Sequence, residues 1–213
     1  YKTRAVGNSK KKEIRDELLG NATIAQKYTE QQQNIKIVND YYKNNYPRNA
    51  GTGDGNLFRF FVEKNLELLR AGGTLNYILP TGFMTEDGSE TLRKYVLANH
   101  HILAFDGFEN REGLFPDIHR AYKFGLLQIE KRKPQSASNG RAAHQPPEAI
   151  LAPEKAITRC RFMLTNPSAL ADENSAFDYS LKDIQQLSPD HWAFMEFKHG
   201  KTDLGILAKL YAR

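Results

Sequence analysis

The sequence predicts an α/β fold around a largely parallel sheet, and three stretches carry that expectation. Residues 57–80 run from an amphipathic helix through Ala71-Gly72-Gly73 into the short apolar strand TLNYILP. Residues 90–108 repeat the rhythm, a short helix and then the strand HILAFDGF. The next strand, YKFGLLQIE, follows a loop with no helix between. Strands linked through a helix lie parallel, whereas strands joined by a loop pair antiparallel. The parallel sheet is therefore expected to end in an antiparallel hairpin.

Each element has its own justification. Residues 10–45 read as helix in two segments split near Gly20-Asn21, because Ile14, Leu18, Leu19, Ile24, Tyr28, Ile35, Val38, Tyr41 and Tyr42 recur near helical spacing. The second segment is too polar for a central core helix and is expected over one edge of the domain. PRNAGTGDGN is turn-rich and reads as a loop. The helix Leu57–Arg70 presents Leu57, Phe60, Phe61, Leu66, Leu68 and Leu69 as its apolar side, with Asp54 or Asn56 as cap and glycine closing its end. TLNYILP, a continuous apolar run ended by proline, reads as a buried strand. Glu90–Asn99 is a short helix with Leu92, Tyr95, Val96 and Leu97 turned inward. KRKPQSASNGRAAHQPPE has the Pro, Ser and Gly content of a flexible linker. Beyond it, ITRCRFML suits a strand, YSLKDIQQLSP a capped helical turn, and Thr202–Ala212 a helix with Leu204, Leu207 and Leu210 on one side.

Composition excludes several classes. No apolar run reaches the roughly 20 residues of a membrane span, so no membrane partner is expected. The single cysteine, Cys160, rules out an internal disulfide framework and a Cys-rich zinc site. A reducing, cytoplasmic setting is the default. The net charge of +5 suits a polyanionic partner without requiring one. The first residue is not methionine, which is what a fragment or a processed chain would show.

The candidate chemical motifs are weak taken singly. Gly51-Thr52-Gly53-Asp54-Gly55 precedes a helix, as phosphate-binding turns do, but no strand leads into it and no Lys-Ser/Thr pair ends it. A capping loop is the better reading. The histidines lack the spacing of a metal site, and none is expected. Asp106, Glu109, Glu112 and Asp117 surround Phe115; surface ion pairs to Arg111 and Arg120 account for them more simply than acid–base work. Phe115 lies on a Phe-Pro turn between two strands, where a scaffold presents binding residues. On the residues alone, an aromatic there more often folds back onto the core.

Three ordered motifs add to this. GGTLNYILPTGFM, FENREGLFPDIHRAYKFGLLQIE and the tail MEFKHGKTDLGILAKLYAR together resemble the later part of the catalytic domain of Eco57I-like N6-adenine DNA methyltransferases, enzymes of restriction-modification and phage-defence systems. The resemblance covers residues 20–131 well and the last 40 or so more loosely. It implies a Rossmann-like class I methyltransferase sheet ending in the antiparallel hairpin, followed by the start of a second region. It further implies that Phe115, the aromatic before proline, stacks on an adenine flipped out of the duplex. Arg120, Lys131, Arg132 and Lys133 are then candidates for contact with DNA phosphates.

One departure shapes the expectation. The family's Asn-Pro-Pro-aromatic catalytic motif and its glycine-rich S-adenosylmethionine motif are absent from these residues; Asn166-Pro167-Ser168 stands in the wrong context. Residues 1–131 are thus expected to be a partial catalytic domain, 132–148 a linker or insertion, and 149–213 a connection towards a target-recognition region. S-adenosylmethionine is implied for the intact enzyme and no cofactor for this piece alone. The implied partners are double-stranded DNA, the upstream half of the same domain and a downstream target-recognition domain. Two other readings stay open at this point: a non-catalytic α/β DNA-binding or interaction module derived from such an enzyme, and a nucleotide-binding protein using Gly51–Gly55.

Overall fold

The computed structural model describes residues 7–49, 55–132 and 155–211. The chain divides into two compact units, Tyr1–Pro47 and Arg48–Arg213. The first is a helical pair, α1 (Asn8–Leu19) and α2 (Ala22–Asn45), split at Gly20-Asn21 as the periodicity indicates. Asn21 makes the break: its side chain accepts from the Thr23 and Ile24 amides at 3.0 and 3.3 Å, capping α2.

The second unit holds the sheet. Its elements are α3 (Leu57–Leu68), β1 (Thr74–Pro80), α4 (Gly82–Thr85), α5 (Glu90–Asn99), β2 (His101–Glu109), β3 (Lys123–Glu130), β4 (Ile157–Leu164), β5 (Phe177–Ser180), α6 (Leu181–Leu187) and α7 (Lys201–Tyr211). The five strands lie in the order β1-β3-β2-β4-β5. Strand β3 runs antiparallel to β1 and to β2, so β1 and β2 are parallel, with α4 and α5 as their crossover. The expected hairpin is present, but its return strand is inserted between β1 and β2, so only β2 and β4 pair parallel and the largely parallel pairing expected is not found among the described strands. Gly125 makes that insertion close: a Cβ there would collide with the Phe105 ring of β2.

The core lies where β1–β3 meet α3–α5 and continues under β4 and β5. Ile102, Phe105, Leu127 and Ile129 of the sheet pack with Phe83, Leu92 and Val96 of the crossover. An aromatic group of Phe162, Phe177, Tyr179, Phe194 and Phe197 extends it, with ring centroids 5.3–6.4 Å apart. Residues 155–211 therefore complete this sheet and core. Strand β4 pairs parallel with β2, so the described part of 149–213 adds strands to the sheet. Alternate buried residues of β4 (Thr158, Cys160, Phe162, Leu164) are the physical cause. The register slips from Asp106↔Arg161 to Phe108↔Leu164, a bulge accommodated by Met163 at φ +59°.

Three expectations need correction. Strand β1, read as buried, forms one edge of the sheet, and its Ile78 is 62% exposed. In α3 the buried face is Arg59, Val62, Glu63 and Leu66, while Leu57, Phe61 and Leu68 are exposed. Glu63 is fully buried because Arg48 Nη1 at 3.0 Å and Asn49 Nδ2 at 2.6 Å hydrogen-bond its carboxylate, which offsets the cost of burying the charge. In α7, Leu204 is buried and Leu210 exposed. Of residues 132–148, expected to be a linker, all but Arg132 lie outside the described residues, as do 50–54. Asn56 is the α3 cap, accepting from the Phe58 amide at 3.4 Å. No helix among the described residues is long and apolar enough to cross a membrane.

A surface pair gives the fold an acid-side dependence. Glu90, at the start of α5, accepts from Lys94 at 2.7 Å and lies 2.7 Å from His191 Nδ1. Hydrogen bonds from Lys94 and then His191 hold the Glu90 carboxyl down at about 2, and the Glu90 hydrogen bond pushes the His191 imidazole up. A depressed carboxyl stabilises the fold above its unfolded pKa of about 4.5, and that contribution fades as pH falls towards 2. Glu90→Gln should flatten the stability–pH curve between those limits, measured by urea unfolding at stepped pH. An unchanged slope would remove Glu90 from the acid response.

Candidate functional site at the carboxyl ends of the parallel strands

In open α/β sheets ligands bind beyond the carboxyl ends of the strands. Here β1 and β2 end together, and each leads into a structured turn. Strand β1 leads through Thr81 into α4, beside a cleft of about 500 Å³ whose walls include Gly82, Glu86, Tyr122, Lys123 and Glu196. Lys123 pairs with Glu196 there and stands 3.8 Å from Glu109, so the cation of the cleft is met by carboxylates. The turn after β1 is filled from within, since a Cβ on Gly82 would meet the Glu86 carboxyl carbon at 2.5 Å.

Strand β2 leads into the loop of residues 110–122, and one residue organises it. Asn110 is 0% exposed. Its amide donates to the Phe115 and Ile118 carbonyls, each at 2.9 Å, while its carbonyl accepts from the Phe115 amide at 3.0 Å. The Asn110 backbone amide donates to Tyr122 at 2.9 Å, closing the loop at its base. A side chain that supplies both donor and acceptor to a loop substitutes for a strand partner there. Gly113 turns the chain at φ +72°, over the Arg120 guanidinium, whose Nη1 donates to the Arg111 carbonyl at 3.2 Å. The positive φ favours glycine at that turn, and any Cβ there would also displace the Arg120 guanidinium.

The product of this lock is a placed aromatic. Phe115 is 40% exposed and rests edge-on against Phe124 of β3, with centroids 4.9 Å apart and planes at 84°. Phe124 in turn stacks on Phe108 at 5.3 Å and 6°. Phe115 is thus supported by the core without being absorbed into it. Its ring can meet a flat apolar partner, and its backbone is fixed before that partner arrives.

Three of the four acidic residues around it have structural partners. Asp106 pairs with Arg161 of β4 at 3.0 Å, Glu109 with Arg111, and Glu112 accepts from Thr165 at 2.9 Å and Asn166 at 3.1 Å. Ion pairing was expected, but with Arg111 and Arg120; Arg120 binds a carbonyl instead, and the second cation is Arg161. No cluster of histidine, cysteine or carboxylate side chains suited to a metal ion occurs among the described residues.

The basic candidates separate in space. Arg120 belongs to the Phe115 loop. Lys131 and Arg132 follow β3 at the opposite end of the sheet, about 25 Å away by strand length. The Lys131 ammonium donates to the Leu66 and Glu67 carbonyls at 2.6 and 3.2 Å, capping the carboxyl end of α3. Lys133 lies outside the described residues. Sequence reading missed Asn110; the available signal was an amide immediately after the β2 run and a few residues before a Gly-containing turn.

Residues 28–115 match the family model described as Eco57I restriction-modification methylase. Among solved structures, the type IIG restriction endonuclease BpuSI is similar at 15% identity and a TM-score of 0.42, over 68% of this chain and 16% of that one. A putative class I S-adenosylmethionine-dependent methyltransferase from Listeria monocytogenes gives 18% and 0.34, over 56% of this chain and 31% of that one. A type I restriction-modification system gives 8% and 0.43, over 76% and 37%. The chain thus spans well under half the length of each of these structures. No curated protein sequence matches it.

Proposed function

Proceeding from residues 28–115 as a stretch of the Eco57I restriction-modification methylase family, we propose that this chain is the later part of an adenine-N6 DNA methyltransferase. The observation that carries the reading is Phe115, half-exposed on a loop locked by buried Asn110 at the carboxyl ends of two parallel strands. Adenine N6 is buried in a base pair, so an enzyme that modifies it must extrude the base and hold its face. A fixed aromatic ring does this by stacking. Arg120, in the same loop, is the candidate for a neighbouring phosphate.

The chain supplies one wall of such a site. The methyl group would come from S-adenosylmethionine, but the residues present do not form a cradle for it. The turn after β1 is filled by Glu86, and no glycine-rich turn follows a described strand. Cofactor binding and the Asn-Pro-Pro-aromatic motif are therefore assigned to an upstream half of the domain. The free edge of β1 supports this: among the described residues no strand pairs with it, yet it displays Ile78, and nearby α3 displays Leu57, Phe61 and Leu68. An unpaired sheet edge invites strand addition unless something covers it. A strand and helices of the upstream half would do so, and a target-recognition domain would follow downstream.

The test is chemical. The product of the complete reading frame, incubated with S-adenosylmethionine and unmethylated duplex DNA, should yield N6-methyladenine on nucleoside analysis. This chain alone should yield none. Methylcytosine, or no methylated base from the complete product, would overturn the proposal.

A further inference from the structure

At the end of the sheet remote from Phe115, polar side chains are buried without partners. Arg132 donates from Nη1 to the Ala98 carbonyl at 3.4 Å, but its Nε and Nη2 are buried and meet no acceptor. Those two N–H groups form one edge of the guanidinium, the edge that grips an oxyanion through two parallel hydrogen bonds. His100, which directly precedes β2, is only 5% exposed, and neither ring nitrogen has a partner. Either neutral tautomer carries an N–H to donate.

The surroundings are cationic. The Tyr95 ring lies edge-on to His100, with centroids 5.3 Å apart, and the Arg48 guanidinium sits 3.9 Å from the Tyr95 centroid. Burial first, then the charges of Lys131, Arg132 and Arg48, push the His100 imidazole down to about 4. The buried carboxylate at this end, Glu63, is already engaged by Arg48 and Asn49, and Glu67 stands 3.7 Å from Arg48. No ion pair between Arg132 and a described carboxylate accompanies them. Buried donors are nearly always paired in folded proteins, so orphaned donors with the cations Lys131 and Arg132 close by point to a bound acceptor.

We propose that Arg132 and His100 form an oxyanion site that takes a phosphate group, with Arg48 and Lys131 supplying the surrounding positive potential. A tetrahedral phosphate fits better than a planar carboxylate. Its four oxygens can accept from the two N–H groups of the Arg132 edge and leave acceptors for a further donor such as His100, whereas a carboxylate offers only two oxygens. The source is either free phosphate (a monoester included) or a phosphodiester of nucleic acid. The site lies at the amino ends of β1 and β2 and stands independently of the methyltransferase reading.

The probe is inorganic phosphate, titrated into the full chain against chloride at matched ionic strength. Calorimetry should show saturable binding, and NMR of the imidazole should show the His100 titration midpoint moving up as the anion joins the three cations around it. Arg132→Gln should weaken binding by at least about tenfold, the effect of one charge-assisted pair. Arg132→Lys, which keeps the charge and loses the two-pronged edge, should also weaken it. Displacement of phosphate by a short duplex oligonucleotide would assign the phosphodiester; retention of phosphate against the duplex would assign the free anion or monoester. No saturable phosphate binding by the unaltered chain, or equal binding by Arg132→Gln, would overturn the site and leave water as the partner of these donors. Should the variants fail to fold, a His100 midpoint unmoved by saturating phosphate overturns it alone.

Discussion

Replacing Arg93 by alanine is expected to destabilise the sheet unit by about 3–5 kcal/mol, more than any surface substitution in this chain. Arg93 is fully buried in α5. Its guanidinium faces no carboxylate at hydrogen-bond distance; it is solvated by main-chain carbonyls, Phe83 at 3.1 Å, Glu86 and His191 at 2.8 Å, and Trp192 at 3.1 Å. Burial lowers its pKa to about 10, so the charge persists at neutral pH. The carbonyls belong to two segments remote in sequence, the turn around α4 and the stretch after α6. Trp192, held at φ +48°, is part of that second segment, and the Phe194 amide donates to Met84 at 2.9 Å beside it. Removing the guanidinium takes the shared donor from these carbonyls and opens a cavity. Urea unfolding measures the loss. Arg93→Lys should recover only part of it, because one ammonium cannot span both segments. Full recovery by lysine would show that charge alone, without the fork, fixes the two segments.

Arg93 also shows where sequence reading reached its limit. Helix Glu90–Asn99 was legible to the residue, because Leu92, Val96 and Leu97 recur at helical spacing. Arg93 lies on that same stripe, three and four residues before Val96 and Leu97, yet its charge assigns it to the polar face. The carbonyls of Phe83, Glu86, His191 and Trp192, brought together by folding, make its burial possible. The edge position of β1 is illegible for a related reason. TLNYILP has the composition of a central strand, and whether it is central depends on a neighbour that its own residues do not encode. The apolar side expected of α3 failed similarly, since Phe61 and Leu68 are exposed while Glu63 is covered by Arg48 and Asn49. The hairpin was legible because two apolar runs flank one loop without a helix. Its lock was not, because Asn110 acts through carbonyls five and eight residues on.

The same lock sets the expected behaviour of Phe115. In the complete enzyme, Phe115→Ala should lower kcat/KM for a paired adenine by roughly 5- to 150-fold, since base–aromatic stacking is worth about 1–3 kcal/mol. Stability should fall by only about 1 kcal/mol, because the ring is half-exposed and its recorded ring contact is the edge contact with Phe124. Phe115→Tyr should keep most of the activity, as it keeps the flat face. Asn110→Ala should behave differently: three hydrogen bonds to the loop disappear, so stability should drop by about 2–3 kcal/mol and activity should fall with it. Comparing the two variants separates the ring from its support. A substrate with the target adenine unpaired is easier to flip, so the Phe115→Ala defect should shrink there while the Asn110→Ala stability loss stays the same. If Phe115→Ala instead lost melting temperature and activity in the same proportion as Asn110→Ala, the aromatic would be a packing residue of the loop, and the stacking wall would have to be sought elsewhere in the enzyme.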